Sequence, residues 1–199
     1  MDTVIRPARL DGVELREWLE LYNIEDYLFD KVRKRFEEKD TLEPFDFFAI
    51  VAWKSNRTKT KIRRGLDDAG KTVQGLMSEV AQAETPRDMV EVLLQVWGIG
   101  LAMASAILTV CDPKKFTVLD YRAWETLRAA SLQGLPEHYP ATSDEYLDYC
   151  GVCRRLAERV GMSLRNLDRA LWAKSWRDDL CKLVQSSQRE AAQGSAPLR

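Results

Sequence analysis

The chain has 199 residues, 45% of them hydrophobic and 31% charged, with a net charge of −1. Such a chain can bury a real core as one unit or two closely packed lobes, and it is too balanced in charge to bind nucleic acid by its overall field alone. It contains no apolar run of about 18 residues and no signal-peptide pattern, so a cytoplasmic protein with no membrane partner and four reduced cysteines is expected.

Helical periodicity runs through almost the whole chain. Asp11 is a candidate N-cap for a helix over 12–22, with Val13, Leu15, Trp18, Leu19 and Leu21 on its apolar side. A second helix over 24–38 carries Tyr27, Leu28, Val32 and Phe36. A turn around Asp40–Pro44 leads into 45–54, a stretch too apolar for a surface helix and expected to be buried. Residues 54–64 then hold six cations (Lys54, Arg57, Lys59, Lys61, Arg63 and Arg64) and no anion. This basic stripe is either a solvated helix start or a phosphate-facing surface. Gly65 and Gly70 are placed to interrupt its helix, and another helix covers 71–83.

Thr85-Pro86-Arg87-Asp88 combines an N-cap, a first-turn proline and a capping-box acid, so a helix should run from there to Trp97. Gly98-Ile99-Gly100 breaks it, and residues 101–111 form a helix of small and apolar side chains that Asp112-Pro113 stops. Phe116–Leu119 reads as extended, and Asp120 stands as N-cap of a helix to about Ser131. A loop with Gly134, Pro136 and Pro140 follows, in which His138 has no companions for a metal or a nucleophile. Ser143 starts a helix ending at Gly161, Ser163 caps one reaching Trp172, and 175–187 is the last. The expected fold is all-α, a single helical unit over 1–187 with a flexible tail over 188–199.

The stretch 93–124 carries the chemistry. Two glycines between helices allow a tight turn and leave its backbone bare, and N–H groups at a helix start can hold a phosphate oxygen. Such a hairpin grips a DNA backbone without reading sequence. The competing reading is a plain turn between helices, and for Asp120 a plain N-cap worth about 1 kcal/mol.

This stretch resembles the helix-hairpin-helix base-excision DNA glycosylases of the endonuclease III type. Gly98-Ile99-Gly100 matches the family's hairpin, and Leu119-Asp120 matches its Val-Asp, whose aspartate is catalytic. Bifunctional members carry a Schiff-base lysine two residues after the second glycine. Ala102 stands there, 18 residues before Asp120, which is the family's spacing between lysine and aspartate. Trp97 replaces the usual proline, and Arg122 stands where relatives often carry histidine.

The resemblance implies two packed helical lobes, with the hairpin of 86–111 and Asp120 both at the cleft. It implies a monofunctional-type DNA glycosylase, in which Asp120 assists water in excising a damaged or modified base flipped out of the duplex. A carboxylate at a helix N-terminus stays ionised and can stabilise positive charge developing on the sugar. Gly98, Ile99, Gly100 and Leu101 are then candidate DNA-backbone contacts, the 54–64 cations a DNA-facing surface, and Trp97 and Tyr121 candidate stacking residues. DNA is the implied partner. A monovalent cation at the hairpin is the one ion left room for, and no other cofactor is implied. Some relatives hold an iron–sulfur cluster on four cysteines; here Cys150 and Cys153 form a C-x-x-C, but Cys111 and Cys181 are remote, so buried thiols and no cluster are expected.

Other readings stay open. A non-catalytic DNA-binding protein of the same fold, or a helical scaffold, would carry the same pattern. Lys54 and Arg57 read as cations at a helix end or as phosphate or base contacts, and Lys54 also as an amine nucleophile. Arg165 and Arg169, at helical spacing, are candidates to join the basic face.

Overall fold

The computed structural model describes Leu19 and residues 21–194, with side chains through Gln185. The helix expected over 12–22 lies almost entirely outside these residues. All regular structure among them is helical. The first elements described form one rod of α1 (Ile24–Asp26), a π-helical turn (Tyr27–Val32) and α2 (Arg33–Lys39). Then come α3 (Pro44–Ser55), a 3-10 turn (Asn56–Thr58), α4 (Lys59–Asp68), α5 (Val73–Gln82) and α6 (Pro86–Leu94). The second half contains α7 (Leu101–Cys111), α8 (Tyr121–Ala129), α9 (Ser143–Val160) and α10 (Leu164–Gly194).

The core sits around α7. Every residue from Met103 to Cys111 is buried, and the small side chains Ala104, Ser105 and Ala106 leave room for neighbouring helices to come close. α3 and α6 both pack on α7, and α10 packs along α8 and α9. α3 is buried along its inner face, as its composition requires, and that face includes one charge. Asp46 is 1% exposed. Arg35 donates to its two oxygens at 2.8 and 2.9 Å, and the Tyr27 hydroxyl donates to it at 2.5 Å. Burial and the hydrogen bond to this carboxylate push the Tyr27 hydroxyl up to about 12.

Several boundaries differ from expectation for local reasons. α4 passes through Gly65 without a break, and Gly70 lies beyond its end. The helices expected over 163–172 and 175–187 are one continuous helix, because no glycine or proline falls between Leu164 and Glu190. Its backbone stays helical to Gly194, through the first half of the expected tail. α9, by contrast, starts at Ser143 as expected; Thr142 caps it, its hydroxyl accepting from the Glu145 N–H at 3.3 Å in a full capping box, while Ser143 donates across to Glu91 at 2.6 Å.

The turn between α6 and α7 is locked against α4 by two glycines. Gly98 adopts φ +99°, open to glycine and strained for other residues, and a Cβ there would meet the Ile62 N at 3.1 Å. From the other side, a Cβ on Gly65 would lie 1.9 Å from the Trp97 carbonyl oxygen. Backbone therefore touches backbone on both sides of the contact. A Cβ on Gly100 would meet nothing within 4 Å. Gly65→Ala should accordingly cost about 3 kcal/mol or more, since rigid backbone must move to admit the methyl. Gly100→Ala should cost less than about 1 kcal/mol. Urea unfolding of the two variants checks this, and equal losses would contradict the packing.

Candidate active site

The site is organised by Phe116–Leu119, which connects α7 to α8. The four residues belong to no helix or strand, and all are buried. Buried peptide groups need partners, and side chains from the surrounding helices and the loop before α9 supply them. The Tyr146 hydroxyl donates to the Thr117 carbonyl at 3.0 Å and that of Tyr149 to the Val118 carbonyl at 3.4 Å. The Leu119 carbonyl accepts from Tyr139 Oη at 3.4 Å and from Lys54 Nζ at 3.3 Å. The Leu119 N–H donates to Ser105 Oγ at 2.8 Å, and that hydroxyl donates to the Ala102 carbonyl at 2.8 Å. The first turn of α7 is thus joined by two hydrogen bonds to the residue before Asp120.

Asp120 caps α8, accepting from the Arg122 N–H through Oδ1 at 3.0 Å. Its Oδ2 accepts from Lys54 Nζ at 3.0 Å. The Lys54 and Asp120 side chains are 16% and 26% exposed, so the pair sits in the mouth of a cavity rather than on open surface. That cavity, of about 400 Å³, is bounded by Trp53 and Lys54 of α3, Val118 and Asp120, Glu25 of α1, and one face of α10. From α10 come Arg165, Asp168, Arg169 and Trp172. Their spacing of three, four and seven residues sets them on one side of that helix.

Ion pairs tie this wall together. The Arg165 guanidinium lies 4.8 Å from the ring centre of Phe29 and 5.1 Å from that of Trp53, two rings that meet edge to face. It donates to Glu25 at 2.8 Å and also to Asp168. Arg169 donates to Glu25 at 2.7 and 2.9 Å. Burial pushes Glu25 up, but Arg165 and Arg169 outweigh it and hold the carboxyl below its ordinary value. Asp168, 5% exposed, goes the other way. Its desolvation exceeds the opposing pull of Arg165 and Lys54 and raises it to about 6. Burial, with Asp120 as a lesser cause, pushes Tyr139 up to about 12.

The residues expected at a site divide into two places. Asp120 and Lys54 meet in the cavity, which takes Lys54 out of the exposed basic stripe. Arg57, Lys59, Lys61, Arg63 and Arg64 are exposed on the 3-10 turn and α4, beside the Gly98–Gly100 turn. Lys61 Nζ lies 4.8 Å from the ring centre of Trp97. Trp97 and Tyr121 are 56% and 55% exposed and do not bound the cavity. Tyr121 instead packs on Trp124 and Tyr139. Arg165 and Arg169 do not join the basic face, because Glu25 and Asp168 draw them into the cavity wall. Glu25, Asp168 and Trp172 were missed, although the polar and aromatic stripe along α10 was a usable signal. Cys111, Cys150 and Cys153 are buried free thiols, and Cys181 is exposed.

Asp168 gives a test by pH. The folded carboxyl keeps its proton to about 6, against 3.8 ordinarily, so the folded state binds the proton more tightly than the unfolded chain. Its contribution therefore lowers stability as pH rises through that window. Asp168→Asn should flatten that part of the slope, read by denaturant unfolding between about pH 4 and about pH 7. An unchanged slope would contradict the assignment. Comparison of the chain with protein-family models, with curated proteins and with solved structures yields no match.

Proposed function

We propose that the protein is a DNA-binding enzyme of the helix-hairpin-helix glycosylase type, which excises damaged or modified bases with Asp120 as its catalytic carboxylate. The observation that carries this reading is the placement of Asp120: a capped, ion-paired carboxylate facing a base-sized cavity, tied through Leu119 and Ser105 to the start of the helix after the glycine turn. The volume falls within the usual range for ligand sites, about 300–1,000 Å³.

The chemistry follows from the residues. A nucleotide flipped from the duplex can lay its base between apolar and aromatic walls, and Trp53 and Trp172 supply such walls. Breaking the N-glycosidic bond develops positive charge on the sugar. Asp120, positioned by the Arg122 N–H and Lys54, stabilises that charge and orients the attacking water.

DNA affinity is assigned to the glycine turn and α4. The N–H groups of Leu101 and Ala102 begin α7 and have no intrahelical acceptor, and the space beside Gly100 is open to a phosphate oxygen. Lys59 and Lys61 stand in the first turn of α4, which carries no acid. Cations there oppose the helix dipole at a cost of a few tenths of a kcal/mol each. An anionic partner relieves that conflict.

Two measurements test the reading. Duplexes each bearing one altered base should acquire alkali-labile breaks with the wild type, and Asp120→Asn should lower the rate by at least about 100-fold. Duplex affinity should fall with salt, and Lys59→Glu with Arg64→Glu should reduce the slope by about two. Salt-independent binding would sink the DNA assignment. Binding without breaks on any altered base would favour the non-catalytic protein.

A further inference from the structure

Arg165 and Arg169 bring two guanidiniums to one carboxylate in the cavity wall, and the chemistry assigned to Asp120 uses neither. Arg165 Nη2 donates to Glu25 Oε1 at 2.8 Å, while Arg169 Nε and Nη2 donate to Glu25 Oε2 at 2.9 and 2.7 Å. Several guanidinium N–H groups converging on one anion are also the donor set that recognises a phosphate, whose oxygens arginine grips in pairs. The two sides of this contact are held differently. Arg165 is largely buried, lies against Phe29 and Trp53, and is tied to Asp168 on its own helix. Glu25 is partly exposed and belongs to α1, which has no buried residue. Its contact with Arg169, partly exposed on both sides, is screened by water and worth little to stability. Glu25 and Asp168 also leave Arg165 Nε, a buried donor, without an acceptor among the described residues.

We propose that Arg165 and Arg169 form a phosphate site, filled in this structure by the Glu25 carboxylate, and that a phosphodiester of the bound strand displaces that carboxylate. This inference rests on the DNA reading of the same cavity and names which phosphate is gripped: one of the two joined to the sugar that Asp120 faces. Asp120 and the two arginines bound one cavity, so a nucleotide with its sugar at Asp120 carries its phosphates towards them. Glu25 acts as a latch. While paired, it neutralises the arginines. Once it withdraws, the cavity's cations (Lys54, Arg165 and Arg169) outnumber its carboxylates (Asp120 and Asp168), and the site attracts the backbone. Carboxylate and phosphate compete for the same donors, so removing Glu25 strengthens phosphate binding. An ion pair that only held α1 in place would give no such gain.

Inorganic phosphate is the first probe, because its binding requires no DNA. Titrations are followed by calorimetry and by the Arg165 Nε–H NMR signal. Glu25→Ala should bind phosphate at least about fivefold more tightly than the wild type, the size of one exposed ion pair. Glu25→Gln, which keeps the side chain's length and removes its charge, should act in the same direction. Adding Arg169→Gln to Glu25→Ala should abolish the gain. The unfolding temperature of each variant reports that it is folded. Equal phosphate affinity in the wild type and the folded Glu25 variants overturns the site, as does a gain that survives Arg169→Gln. An Arg165 signal that stays fixed while phosphate binds places the anion elsewhere and also overturns it. The second probe is a duplex with a single abasic site, whose affinity should rise with Glu25→Ala and fall with Arg169→Gln. Duplex affinity indifferent to both, with phosphate binding as expected, overturns the strand assignment in favour of a free phosphate. Expected phosphate binding with no duplex binding overturns the DNA reading, and the strand assignment with it, while the anion site stands.

Discussion

A stretch of irregular backbone buried among helices, with no regular structure to pair it, is the constraint around which this protein is arranged. The peptide groups of Thr117, Val118 and Leu119 are out of reach of water, and each unpaired one would cost about 1–3 kcal/mol. Three tyrosine hydroxyls, one serine hydroxyl and one lysine ammonium meet that need. These groups come from α3, α7, α9 and the loop before α9, so the link records the relative placement of all of them. Asp120 follows the link directly, and its position inherits the precision of five hydrogen bonds it does not itself make.

A second constraint acts at the other end of α7. Gly65 and Gly98 let α4 and the turn after α6 meet backbone to backbone, and the cations of α4 arrive beside the exposed turn as a result. Ser105 couples the two regions, because its hydroxyl bonds both the first turn of α7 and the link. Inside the cavity, three cations (Lys54, Arg165 and Arg169) face three carboxylates (Glu25, Asp120 and Asp168). When Asp168 holds its proton the balance tips positive, which favours an anionic ligand.

What the sequence revealed and what it hid follow one rule. Features written in a few adjacent residues were legible: the Thr85 and Asp120 caps, the Gly98–Gly100 turn, and the apolar run that makes α7 the core. The cavity was less legible because its walls come from α1, α3 and α10, and residues as distant as Glu25 and Arg165 meet only after folding. Lys54 shows the limit well. The sequence left it open between a helix-end cation, a phosphate or base contact and an amine nucleophile, and only the packing of α3 beside the link turns it towards Asp120. Gly65 was misread for a related reason. Its glycine signal is a close approach to Trp97, and local propensity alone reads that as a helix break.

The central claim is that the glycine turn, the basic helix and the Asp120 cavity form one surface that engages DNA. Titrating the labelled protein with a short duplex carrying an abasic site, followed by amide and indole NMR shifts, tests it most directly. The account predicts that the Gly98–Leu101 amides, the α4 amides and the Trp53 and Trp172 indoles shift together along a single binding curve. Shifts confined to other faces, or cavity indoles that stay fixed while the turn saturates, would contradict it.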